Sequence, residues 1–302
     1  MALLSARAYS RLPTEQANRR TRNIDRRTTA QIVRLINAED RRVPLAVAKV
    51  SGAIARGVDA IAASLGAGGS ILFLGAGTSG RLAVLEAAEC PPTFNTSRRE
   101  IRAEIAGGPR SVFRAKEGAE DDPALGRRSV SKVRRGDVVV GVAASGVTPF
   151  VREALALARR KGAVAILVTS NGRPHGVKAD IVIAPDVGPE VVTGSTRLKS
   201  GTAAKLVLNT LTTGAMIKIG KVYDHWMVDL KPSSRKLHLR AERITADLGR
   251  VPPARARALF RAAGGSVKLA VVMARQRLSA HEARKVLSCG GGSLRRALLE
   301  VV

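Results

Sequence analysis

Two stretches of the chain run apolar residues straight into loops of glycine and small hydroxylated side chains. In the first, Ile71-Leu72-Phe73-Leu74 leads into Gly75-Ala76-Gly77-Thr78-Ser79-Gly80-Arg81. That order predicts a buried parallel strand, a tight turn, and a helix whose N-terminal N–H groups point at whatever sits above them. Such a helix start beside hydroxyls is an anion site, most often for phosphate. The second stretch, Val138-Val139-Val140-Gly141-Val142, leads into Ala143-Ala144-Ser145-Gly146-Val147-Thr148-Pro149. Its Ser145, Gly146 and Thr148 are the stronger candidates for gripping a phosphate, with Thr78 and Ser79 at sugar hydroxyls or the same phosphate. Helix capping explains either loop singly but is a poor account of both. Glu89 follows near the end of the first helix, where Pro91-Pro92 is expected to stop it. Glu117-Gly118-Ala119-Glu120-Asp121-Asp122 is an acidic loop in an otherwise basic protein.

Those loops need a scaffold, and 302 residues with 45% hydrophobic content can supply a large α/β domain and a small appendage. No apolar run approaches the length of a membrane span, and the N-terminus lacks the apolar centre of a secretory signal, so a cytoplasmic location is expected. Cys90 and Cys289 are the only cysteines, too few for a disulfide framework or a cysteine zinc site. His175, His225, His238 and His281 never fall at ligand spacing, so no metal is expected. The net charge of +27 raises the question of nucleic acid. The arginines are spread in pairs along the chain, however, and only 3% of residues are aromatic, too few for base stacking. A solvated basic surface that attracts small anions is the simpler reading, with no nucleic-acid or membrane partner.

Along the chain, residues 1–27 are polar and read as an extended arm. Thr28 or Thr29 can cap a helix ending near Asp40, and Pro44 opens a long amphipathic helix to residue 65. Strand–helix alternation then gives strands at 71–74, 101–105, 137–142, 164–168 and 181–184, with a short helix at 111–116. Such alternation predicts an α/β fold with a doubly wound five-stranded parallel sheet and a site outside the strands' carboxyl ends. A polar loop from Gly188 feeds a long helix over 202–219, and three short helices follow from Leu239. The expected division is an N-terminal arm and helix at 1–43, a sheet domain at 44–222 and a helical domain at 239–302.

Several runs together resemble the N-acetylmuramic acid 6-phosphate etherases, which are built on the sugar isomerase, or phosphosugar-binding, domain. They are Leu35-Ile36-Asn37-Ala38-Glu39-Asp40, Val43-Pro44-Leu45-Ala46-Val47, the two loops, Glu89-Cys90-Pro91-Pro92-Thr93-Phe94, the acidic loop, and 190–208. The similarity covers roughly residues 13–298, and the Glu-Cys-Pro-Pro-Thr and Glu-Gly-Ala-Glu-Asp runs are its most specific parts. The resemblance implies removal of D-lactate from N-acetylmuramic acid 6-phosphate by elimination and then hydration, without metal or organic cofactor. It assigns Glu89 as the acid at the departing ether oxygen and Glu120 as the second carboxylate, a base at carbon 2, with the division between them left open. Glu190, Ser195 and Lys199 correspond to a loop that closes over the sugar.

The resemblance also implies a homodimer with its site near the subunit boundary. Asn37, Glu39 and Asp40 match strongly and are expected at an assembly contact, and Glu86 is expected to support Glu89. The family commonly has Ser at Ala88, Arg at Val147 and Tyr at Phe150. Loss of that arginine is expected to weaken phosphate anchoring unless Lys199 or Arg197 supplies the charge. A non-catalytic phosphosugar regulator, a phosphosugar-responsive transcription regulator and an aldose–ketose isomerase share this domain type. Both glutamates, a leading segment that resembles the etherase N-terminus with the extra domain at the other end, and the Glu-Cys-Pro-Pro run respectively argue against the three.

Overall fold

The computed structural model describes residues 6–114, 116–172, 174 and 176–299. His175 and the outermost residues of both expected terminal domains lie outside that range. The chain divides into two units, one formed by residues up to Ala87 with Arg99–Thr212, the other by Ala88–Arg98 with residues from Thr213 onward.

The first unit is organised on five short parallel strands, β1 (Ile71–Gly75), β2 (Ile101–Ile105), β3 (Val138–Val142), β4 (Val164–Val168) and β5 (Ile181–Ile183). Their order in the sheet is β2-β1-β3-β4-β5. Every residue of β1 and β3 is buried, as expected of strands covered on both faces, which read as continuous apolar runs. Asp137 lies just before β3, and its carboxylate accepts hydrogen bonds from Ser70 N (2.8 Å) and Arg134 N (2.8 Å), fixing the entry to two neighbouring strands.

Among the described residues seven α-helices precede β4. They are α1 (Ala6–Tyr9), α2 (Thr29–Asp40), α3 (Arg42–Ala48), α4 (Ser51–Gly66), α5 (Gly77–Phe94), α6 (Pro123–Ser129) and α7 (Pro149–Arg160). Thr28 caps α2 in a full capping box with Gln31. The expected helix over 44–65 is two, α3 and α4, parted where Val50 leaves helical geometry. The arm at 1–27 is not simply extended either. It carries α1 and three 3-10 turns, at Pro13–Glu15, Arg19–Thr21 and Ile24–Arg26. Instead of a helix over 111–116 there is a 3-10 turn at Pro109–Val112. Apolar residues of α7 (Phe150, Val151, Ala154, Leu155) pack on Leu72, Leu74, Val139 and Leu167 of the sheet. A long helix, α8 (Lys199–Lys218), follows β5.

Two prolines were expected to stop α5, yet it continues through both to Phe94. Each proline removes one helix hydrogen bond, but Asn95 N still donates to Pro91 O (2.9 Å), and Asn95, at φ 52°, turns the chain out of the helix. Among the described residues from Arg235 onward five helices stand where three were expected. They are α9 (Arg235–Gly249), α10 (Pro253–Ala262), α11 (Val267–Gln276), α12 (Ala280–Cys289) and α13 (Leu294–Leu299). They share a core that includes Ile244, Phe260, Leu269, Val272 and Leu294. Buried Lys268 donates to Asp229 Oδ2 (3.0 Å) and Gly292 O (2.9 Å) there.

Candidate active site

The strand order reverses between β1 and β3, and sheets of this type bind ligands outside the carboxyl ends of the strands at that crevice. A cavity of about 890 Å³ opens there. Its wall includes Thr78 and Ser79 after β1, Ser145, Val147 and Thr148 after β3, and Glu120 with Asp121. Gly194 and Thr196 contribute from the loop before α8, and Arg127, Arg152, Glu153, Arg160 and Lys178 line the same space.

Backbone geometry sets both phosphate-type loops. A Cβ on Gly80 would lie 2.5 Å from Gly75 O and 2.5 Å from Ile105 Cγ1, so only glycine lets α5 start directly over the strand ends. Gly146 has φ 73°, a left-handed conformation that glycine adopts without penalty, and its N–H donates to Ala143 O (2.9 Å). Asn171 Nδ2 donates to Ser145 O (2.9 Å) and Thr169 Oγ1 to Ala144 O (3.0 Å), so the segment after β4 braces the loop. Thr148 stands at the N-cap of α7, but its hydroxyl makes no capping hydrogen bond. A capping role therefore does not account for Thr148, whose side chain faces the cavity at a helix start.

Glu120 sits on a 3-10 turn, Ala119–Asp121, whose preceding Gly118 is left-handed. Partial burial is the main cause that lifts its carboxyl above the ordinary value, and the negative charges of Asp121 and Glu117 lift it further. A carboxylate of raised basicity on the wall of a polar cavity is placed to exchange a proton with a bound ligand.

Thr78, Ser79, Glu120, Ser145 and Thr148 thus line one cavity, and Gly146 shapes its loop. The other expected residues stand elsewhere. Ser195 lies between the two lining residues Gly194 and Thr196, but is not itself part of the wall. Glu190 is fully buried and accepts from Lys199 N (2.9 Å) and Ser200 N (2.9 Å), capping α8 from within. Lys199 is also fully buried, with Nζ donating to Glu39 Oε2 at 2.6 Å. Lys199 therefore does not supply the charge missing at Val147, and Arg197 is exposed and off the cavity wall. Glu39, expected at an assembly contact, is instead an internal group. Burial pushes its carboxyl up, but hydrogen bonds from Lys199 and Asn18 and the charges of Lys199 and Arg42 leave it below the ordinary value. Glu86 is buried and accepts from Thr212 Oγ1 (2.6 Å). Glu89 is exposed and stands ten residues beyond Ser79 on α5.

The N-terminal segment is a part of the wall that sequence reasoning missed, as are Arg127, Arg152, Glu153, Arg160 and Lys178. Tyr9, Thr14 and Glu15 line the cavity. Gly194 N donates to Thr14 O (3.2 Å) and Thr21 Oγ1 to Val191 O (2.9 Å), so this arm is tied to the loop before α8. Burial first, then Glu15, Glu120 and Asp121, raise the Tyr9 phenol above its usual value. No local pattern in residues 1–27 signals this, because the bonds run to residues some 170 positions away.

The N-acetylmuramic acid 6-phosphate etherase of Rhizobium rhizogenes is 47% identical over 292 residues, covering 95% of this chain and 94% of that protein. The chain belongs to the N-acetylmuramic acid 6-phosphate etherase family. The etherase of Symbiobacterium thermophilum is 50% identical over 266 residues, 87% of this chain and 88% of that protein. A family model, the glucokinase regulatory protein N-terminal SIS domain, matches residues 53–159. The solved phosphoheptose isomerase from Francisella tularensis is similar in fold, with TM-score 0.50 at 17% identity over 63% of this chain and 100% of that one. Of the departures from the etherase pattern, Phe150 is buried in the core, where an apolar ring needs no partner, and Val147 faces the cavity.

Proposed function

We propose that the chain is a carbon–oxygen lyase that cleaves the D-lactyl ether of N-acetylmuramic acid 6-phosphate, yielding N-acetylglucosamine 6-phosphate and D-lactate in the recycling of cell-wall amino sugars. The observation that carries this reading is Glu120, a carboxylate of raised basicity in the same cavity as the hydroxyls of Thr78, Ser79, Ser145 and Thr148. The phosphate rests at the start of α7, and Glu120 takes the proton from carbon 2 of the open-chain sugar. The carbon 3–oxygen bond breaks as Glu89 protonates the departing lactate oxygen. Water then adds at carbon 3 of the unsaturated aldehyde while a proton returns to carbon 2. Neither step calls for a metal or an organic cofactor.

Glu89 reaches that cavity across a subunit boundary in a homodimer. Its exposure supports this arrangement. A phosphorylated substrate suits a cytoplasmic enzyme, and the positive field draws such anions rather than nucleic acid.

In heavy-oxygen water the label should appear at carbon 3 of the sugar and not in the lactate. Unlabelled sugar with labelled lactate would refute elimination. Glu120→Gln and Glu89→Gln should each lower D-lactate release by about a hundredfold or more. Mixing the two inactive variants should restore roughly a quarter of wild-type activity, since half the dimers then hold one intact site of two. No recovery after confirmed subunit exchange would place both glutamates within one chain.

A further inference from the structure

We infer that Arg152 supplies the positive charge against which the substrate phosphate is held, and so sets the preference for phosphorylated sugars. This rests on the etherase reading for the identity of the sugar, but not for the phosphate.

The loop at the start of α7 offers hydroxyls and backbone N–H groups, while Val147, within it, offers no charge. Lys199 is fully buried on Glu39, and Arg197 lies off the wall. Among the described residues that line the cavity, the cations are Arg127, Arg152, Arg160 and Lys178. Arg127 and Arg160 both lie beside Glu153 Oε1, at 3.6 and 3.7 Å, and Lys178 is exposed.

Arg152 stands in the first turn of α7. It follows Thr148 by four residues, on the same face of α7, and helical side chains lean back over the preceding turn. That lean directs the guanidinium toward the opening of the helix, where Ser145 and Thr148 stand. Arg152 Nη2 donates to Gly176 O (3.4 Å). Gly176 belongs to the segment after β4 that also braces the Ser145 loop through Asn171, and a Cβ on Gly146 would come within 3.1 Å of Pro174 Cβ. The position of Arg152 on α7, its bond to Gly176 O and its place in the cavity wall together point the guanidinium to that end of the cavity.

A cation in the first turn of a helix opposes the helix dipole, and burial pushes the Arg152 guanidinium pKa down. Both penalties are relieved when a dianion sits between the guanidinium and the helix start. A planar guanidinium also presents two donors to phosphate oxygens at once.

The test compares the full-length chain with Arg152→Gln, using calorimetric binding of N-acetylglucosamine 6-phosphate and of unphosphorylated N-acetylglucosamine, alongside D-lactate release. The variant should bind the phosphorylated sugar roughly ten- to hundredfold more weakly, with little change for the unphosphorylated one. KM should rise by a similar factor with kcat nearly unchanged, because the contact is present in ground and transition states alike. Adding Val147→Arg to Arg152→Gln should restore most of the lost affinity by returning the charge to the same loop, an outcome that a structural role for Arg152 does not predict. Unchanged phosphate discrimination in folded Arg152→Gln overturns the inference, as does a fall in kcat without a rise in KM. Should Arg152→Gln fail to fold, Arg152→Lys takes its place, and undiminished binding of the phosphorylated sugar there, combined with no salt dependence, overturns it. A wild-type chain that binds the phosphosugar and releases no D-lactate refutes the etherase reading and leaves Arg152 to be judged by binding alone.

Discussion

Replacing Lys199 by methionine keeps the length and apolar stem of the side chain and removes only its charge. In the native chain Lys199 Nζ and Glu39 Oε2 are 2.6 Å apart, with side-chain exposures of 0% and 3%. Breaking a buried pair by deleting one partner costs about 3–5 kcal/mol, because the other charge stays buried. Glu39 keeps its hydrogen bond from Asn18 Nδ2 (2.9 Å) and the more distant, largely solvated Arg20 and Arg42, both 3.8 Å away. The lower end, about 3 kcal/mol, therefore applies. At roughly 2–4 °C per kcal/mol for a unit of this size, the melting transition should fall by about 6–12 °C near neutral pH.

The pH dependence fixes the cause. With Lys199 in place the Glu39 carboxyl lies below its ordinary value, so its contribution is present above the unfolded pKa and is lost as pH falls through the folded one. Without Lys199, burial dominates and raises that pKa, so Glu39 is neutralised by mild acid. The gap between wild type and Lys199→Met should then narrow toward about pH 4–5. Differential scanning calorimetry across that range, with the double variant Glu39→Leu/Lys199→Met, is the assay. The double variant should be less destabilised than the sum of the two single ones. A fall below about 1 kcal/mol at pH 7, or a gap that does not change with pH, would show that the pair is not uncompensated in the way its burial implies. Because Lys199 opens α8 directly after the loop carrying Gly194 and Thr196, KM for the phosphosugar should rise as well.

Two further outcomes follow from the same geometry. Asp121→Asn removes a negative charge that raises the Glu120 carboxyl, so the acidic limb of the kcat/KM profile should move to lower pH. A pH–rate profile measured with D-lactate release checks this, and an upward shift contradicts the role given to Glu120 as the ionised base. Gly80→Ala places a Cβ 2.5 Å from Gly75 O, a backbone atom that cannot rotate away, and should lower stability by about 1–3 kcal/mol. Urea unfolding reads that loss, and a neutral result would mean that the α5 start sits further from β1 than described.

Much of the first unit is legible in the sequence because its information is local. Parallel strands covered on both faces leave continuous apolar runs such as 71–74 and 138–142. Thr28 with Gln31 announces a helix start, and the Gly-Ser/Thr loops announce turns from strand to helix at strand ends. Glycine and hydroxyl chemistry point to Ser145 and Thr148 as candidates, whereas Glu120 is picked out of the acidic loop only by the resemblance to the etherases.

Tertiary structure decided what depends on distant partners. The prolines at 91 and 92 signal a helix stop, yet α5 passes through both, because its end is fixed by the left-handed Asn95 and by Asn95 N bonding Pro91 O. Glu39 and Lys199 are 160 residues apart, and no periodicity shows that each is the other's counter-ion. The same holds for the arm carrying Tyr9 and Thr14, whose polar composition reads as solvent-exposed. The charge at the phosphate end is a matter of which of 51 basic residues is brought beside one helix start. Composition counts those charges, but only packing gives one of them a place, since electrostatic interaction falls with distance and burial rather than with separation along the chain.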